Sequence, residues 1–150
     1  MVIKQLVEQQ SPVFVAMMVA KMVEGRTNVV DIDDPNTSYD TIDQFCAFLY
    51  TGHIQFDSLD MAFDIIYVAD KYQVAALMAV ASNYVIDQLT VDNVLEVLVL
   101  ADRHSAKELE AKALKFAAKN KKTVQEGEKW TEFKKNPAAL VKFAEYMCKN

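Results

Sequence analysis

Apolar residues recur every three or four positions along most of this chain, which predicts a succession of amphipathic helices. Ser11 is suited to cap a helix and Pro12 to occupy its first turn; Phe14, Met17, Met18 and Met22 then share one face until Gly25. The β-branched cluster from Thr27 to Ile32 predicts a strand, closed by the Asp-Asp-Pro-Asn turn at 33 to 36. From Ser38 the stripe Ile42, Phe45, Cys46, Leu49 and Tyr50 predicts a helix that Gly52 ends. Met61, Ile65, Val68, Ala69 and Tyr72 form the next stripe, and Leu77, Val80, Ala81 and Tyr84 another. The two meet near Gln73 with neither glycine nor proline between them, as in a helical hairpin.

Beyond it, Thr90 is placed to cap a helix in which Val94, Leu95 and Val97 to Leu100 leave almost no polar face, so burial on several sides is expected. Ser105 and Glu108 have the spacing of a capping box, ahead of Leu109, Ala113, Phe116 and Ala117 as a buried face. The pattern weakens from Lys119 to Glu128. Asn136 and Pro137 then restart a helix that turns Leu140, Phe143, Ala144 and Met147 inward. No internal repeat and no low-complexity linker is evident.

Composition sharpens this picture. With 52% hydrophobic and 25% charged residues in 150 positions, the chain is globular and long enough for one domain or two small subdomains sharing a core. Three glycines and three prolines favour helix over sheet. The net charge of −5 argues against a nucleic-acid partner, even though Lys119, Lys121 and Lys122 cluster. Cys46 and Cys148 are far apart inside helical patterns, so free thiols in a reducing compartment are expected. No apolar run is long enough to span a membrane and no cleavable leader is present, so the expected location is nucleus or cytoplasm, with no membrane partner.

Catalytic chemistry finds little purchase. His53 and His104 are the only histidines, without a Cys or carboxylate set at zinc spacing, and Ser105 beside His104 lacks a third group to orient a base. The acidic cluster Asp31, Asp33 and Asp34 lacks the glycine and distal glutamate of a calcium loop. The glycines at 25, 52 and 127 are too scattered to cradle a phosphate. No enzyme activity, metal or cofactor is expected.

Four segments carry a resemblance. SPVFVAMMVAKMVE from Ser11 to Glu24 resembles the BTB/POZ domain, as do Phe48-Leu49-Tyr50-Thr51-Gly52 and Ala69-Asp70-Lys71-Tyr72. Leu89 to Asn93 and Leu100 to Ser105 (LADRHS) resemble the segment that follows the BTB fold in speckle-type POZ proteins of the MATH–BTB group. The resemblance implies a mainly α (α+β) fold: a BTB/POZ-like helical core with a small residual β-sheet over 1–88, then three-box and BACK-like helices over 89–150. It implies a protein-interaction module, the substrate-adaptor part of a cullin-3 ubiquitin ligase, with Met22 and Glu24 as a hydrophobic-x-Glu element on the cullin-3 N-terminal domain. Tyr50, near its helix end, is a possible rim contact; the other tyrosines at helical spacing are expected in the core.

Departures from the family pattern matter as well. Ile3-Lys4 stands where His-Lys is expected, so the family's first dimer helix, most of its sheet and the substrate-reading MATH domain are not among these residues. The strand at Thr27 to Ile32 would then lose neighbours, which predicts lower stability or self-association. A second reading of the same resemblance is a homo-oligomerising scaffold of a transcription regulator with no ligase attached. A third is a form that occupies cullin without carrying substrate.

Overall fold

The structure is a computed structural model and describes residues 11–13, 15, 16 and 34–150. Residues 12, 13, 15 and 16 are helical, with the Val15 N–H donating to the Ser11 carbonyl at 3.2 Å, so the helix begins where Ser11-Pro12 places it. Among the described residues eight further helices follow. They are α1 (Tyr39–Thr51), α2 (Leu59–Lys71), α3 (Ala75–Asp87), α4 (Val94–Arg103), α5 (Lys107–Lys119), α6 (Lys121–Glu126), α7 (Lys129–Phe133) and α8 (Pro137–Lys149). No strand occurs among the described residues; the expected strand at Thr27 to Ile32 lies outside them. The chain divides into two compact units, Met1–Ala81 and Ser82–Asn150.

In the first unit the Asp34–Thr37 turn is closed by the Thr37 N–H on the Asp34 carbonyl at 3.0 Å, one residue later than the Asp-Asp-Pro-Asn spacing predicts. Ser38 caps α1 by accepting the Thr41 N–H at 3.2 Å, and Gly52 ends it in the left-handed region at φ +70°. Ser58 caps α2 in the same way through the Met61 N–H at 3.1 Å. Phe45, Phe48 and Leu49 of α1 and Ala62, Ile65, Ile66, Val68 and Ala69 of α2 are buried, each large side chain contributing roughly 1.5–3 kcal/mol of transfer free energy.

Helix α2 closes in a Schellman turn. The Val74 N–H reaches the Ala69 carbonyl at 2.9 Å and the Gln73 N–H the Asp70 carbonyl at 3.1 Å, with Gln73 at φ 52°. Helix α4 closes identically: Ala106 N–H to Ala101 carbonyl at 2.9 Å, Ser105 N–H to Asp102 carbonyl at 3.3 Å, and Ser105 at φ 52°. This corrects the capping box expected at Ser105 and Glu108. Ser105 ends one helix rather than starting the next, and α5 begins after Ala106 without a side-chain cap. A reciprocal box stands instead ahead of α4, where Thr90 N–H donates to Asn93 Oδ1 at 2.8 Å and Asn93 N–H to Thr90 Oγ1 at 3.3 Å.

In the second unit α4 packs chiefly on α5, and α7 and α8 also lie against α4. Of the residues expected to be buried here, Val94, Leu95, Val97 and Leu98 are buried and Val99 and Leu100 half-buried; Ala101 is buried as well. Lys142 Nζ of α8 bridges Asp102 of α4 at 2.7 Å and Glu110 of α5 at 2.8 Å. Trp130, Phe133 and Phe143 form an aromatic cluster with ring centroids 5.4–5.9 Å apart.

Three stripe assignments shift. Val80 is exposed and Val85 buried in α3; in α5 Leu114 joins Leu109, Ala113 and Ala117 in the buried set, while Phe116 is half-buried. In α8 Ala139 and Phe143 are buried, whereas Leu140 and Met147 are half-buried and Ala144 is exposed. The longer helices are where periodicity puts them, while α6 and α7 fall where the pattern gave no helix; rotation is set by neighbours that periodicity does not see.

Candidate functional site

The residues of the Ala69–Tyr72 segment converge on two parts of the chain remote in sequence. Tyr72 ends α2 with its ring stacked on Phe45 of α1, centroids 5.4 Å apart. Its carbonyl accepts a hydrogen bond from the hydroxyl of Ser11, a side chain only 1% exposed. Ser11 thus ties the start of its helix to the end of α2, and two of the four resemblance segments meet at one bond.

Lys71, the preceding residue, donates to Asp34 Oδ2 at 2.7 Å and sits over the rings of Tyr67 and Tyr72 at 5.9 and 5.6 Å. Tyr67 adds its hydroxyl to the same oxygen at 3.0 Å, and the Asn36 N–H holds Oδ1 at 2.9 Å. The Lys71 ammonium and the Asn36 N–H lower the Asp34 carboxyl to about 2, against the opposing effect of burial. Asp34 in turn raises the Lys71 ammonium, and burial raises the Tyr72 phenol. This cluster locks the turn at Asp34–Thr37 onto α2. Sequence reasoning assigned Asp34 to a turn and an acidic cluster and missed the ion pair, because its partner lies 37 residues away.

Of the predicted contact residues, Met22 and Glu24 lie outside the described residues. Tyr50 is 38% exposed, two residues before the turn at Gly52. His53 packs its Nδ1 2.7 Å from the Thr51 carbonyl, and His104 forms the buried end of α4. Among the described residues no group of three His, Cys, Asp or Glu side chains could hold a metal ion, and no helix is long and apolar enough to cross a membrane. Cys46 is a half-buried free thiol, raised above its ordinary value by burial, and Cys148 an exposed one. The arrangement therefore ties the Ser11 segment, the Asp34–Thr37 turn and α1 to the end of α2.

Residues 2–89 match the family model of the BTB/POZ domain. A BTB/POZ domain-containing protein of Arabidopsis thaliana is 31% identical over 143 residues, which is 95% of this chain. The chain spans 58% of the length of that curated relative.

Proposed function

The chain belongs to the BTB/POZ family of protein-interaction domains, and from that premise we propose that it acts as the substrate-adaptor part of a cullin-3 RING ubiquitin ligase. Met22 and Glu24 dock the cullin-3 N-terminal domain, the methionine as a deformable apolar knob and the carboxylate as a hydrogen-bond acceptor, with Tyr50 at the rim. In this reading residues 1–88 are a partial BTB/POZ domain and 89–150 are three-box and BACK-like helices akin to those of speckle-type POZ proteins. The chain self-associates as well, and works in the nucleus or cytoplasm. The mechanism is proximity: holding a substrate beside a charged conjugating enzyme raises its effective concentration, and the adaptor supplies no chemical group.

The observation that supports the reading is the hydrogen bond from Ser11 to the Tyr72 carbonyl, which joins two of the segments that carry the BTB/POZ resemblance. Calorimetric titration with the cullin-3 N-terminal domain tests it. The parent is expected to bind at roughly micromolar Kd and the double variant Met22→Ala/Glu24→Ala about tenfold or more weaker, a loss of about 1.4 kcal/mol. A folded parent that does not bind rejects the adaptor role and leaves the scaffold reading.

A further inference from the structure

The two Schellman turns belong to a larger correspondence. Ala62, Ile65, Ile66 and Ala69 of α2 match Val94, Val97, Leu98 and Ala101 of α4, and every one is buried. Past the turns, Tyr72 and Val74 match His104 and Ala106, while Leu77, Ala81 and Val85 match Leu109, Ala113 and Ala117, again all buried. Segments α2–α3 and α4–α5 are thus two copies of one helix–turn–helix pattern, seen in burial although hidden in residue identity. This makes α3 an internal control for α5. Exposed Val80, Asn83 and Asp87 of α3 stand where α5 has exposed Lys112, Lys115 and Lys119. The pattern does not require lysine at those positions.

The lysines continue past the helix. Six lie between 107 and 122, five of them after Ala111 with no carboxylate among them. Lys112, Lys115 and Lys119 follow the three- and four-residue spacing of one face of α5, Lys121 and Lys122 open α6, all are exposed, and none forms an ion pair among the described residues. Elsewhere in the chain, residues 39–70 carry six aspartates and neither lysine nor arginine. Asp40 and Asp43 open α1, and Asp57 and Asp60 flank the start of α2, all exposed. The crowding is felt at Asp64, whose carboxyl is pushed up by burial and by the Asp60 charge.

We propose that the exposed lysines of α5 and α6 dock onto the exposed aspartates of α1 and the start of α2 of a second copy of this chain. The argument for that occupant is charge complementarity: six lysines on one segment and six aspartates on the other, at concentrations that are equal by construction. Because the two faces differ, the contact is heterologous and propagates head to tail unless its rotation closes a ring.

Sedimentation velocity on the whole chain tests the proposal. At about 50 mM salt, where the screening length is ~14 Å, the mean sedimentation coefficient should rise with concentration; at about 500 mM, where it is ~4 Å, that rise should vanish. Lys112→Glu/Lys115→Glu/Lys119→Glu should lack the rise, as should Asp40→Lys/Asp57→Lys/Asp60→Lys, with apparent Kd raised roughly tenfold or more in each. An equimolar mixture of the two variants should associate again. The milder Lys112→Gln/Lys115→Gln/Lys119→Gln variant, with circular dichroism matching the parent, separates loss of contact from loss of fold. The proposal is overturned by association that ignores both salt and the lysine variants, by a chain with no concentration dependence at low salt, or by a mixture that fails to associate. Lysine variants that lose only binding to anionic vesicles or RNA would overturn it too.

Discussion

Asp34 illustrates how one residue can hold a turn. Its side chain is 1% exposed, yet it stays ionised because Lys71, Tyr67 and the Asn36 N–H all donate to it. Its folded pKa, about 2, lies below the ordinary 3.8, so the carboxylate stabilises the fold above pH 3.8 and loses that contribution as pH falls through 2. Lys71 has the opposite sign: raised above 10.5, it stabilises below that value and is lost at higher pH. Asp34→Asn should lower stability at neutral pH by about 1–3 kcal/mol, and the difference from the parent should close as the medium is acidified from pH 4 to pH 2. Chemical denaturation at several pH values measures this. The turn was legible from Pro35 and Asn36, but the ion pair was not, since nothing in a local pattern joins position 34 to position 71.

At the level of elements, the informative pieces are the two left-handed corners. Gln73 and Ser105 occupy a backbone region that costs a side-chain-bearing residue roughly 1–2 kcal/mol. Gln73 is exposed, so Gln73→Gly should relieve that cost, less the extra unfolded-chain entropy of glycine, for a net gain of about 0.5–1 kcal/mol. A rise in Tm of a few degrees would be the readout; a fall would mean the Gln73 side chain contributes contacts that outweigh the strain. The absence of glycine here is why Ser105-x-x-Glu108 reads as a helix start. The serine has the right spacing for a cap, and only the bonds from Ala106 to Ala101 and Ser105 to Asp102 place it at a helix end. The longer helices were readable from the three- and four-residue period, but the short α6 and α7 were not. Which side of α8 faces inward was not, because Lys142 is drawn to Asp102 and Glu110 and thereby fixes its rotation.

Across the whole molecule, each of the two units has its own core. Phe143 is 2% exposed and joins Trp130 and Phe133 in the second unit. Phe143→Ala should cost about 3–5 kcal/mol, and native-state hydrogen exchange should show amides of α4, α5 and α8 losing protection before those of α1 and α2. Simultaneous loss throughout would make the chain one cooperative unit. The mainly helical class, the helix that opens at Ser11 and the BTB/POZ resemblance were legible because each rests on local spacing. The duplication of α2–α3 in α4–α5 was not, since it is written in which positions are buried and not in which residues fill them.

The bond between Ser11 and Tyr72 also bears on timing. It links residues 61 positions apart, while the turns at Gln73 and Ser105 close within six residues. Closing the longer loop carries a larger entropy cost, so on the growing or refolding chain the helices and their corners assemble first. The Ser11 segment is then added to a scaffold already in place. In the adaptor reading, recruitment of the ligase would wait on assembly of the first unit, to which Ser11 and Tyr72 both belong.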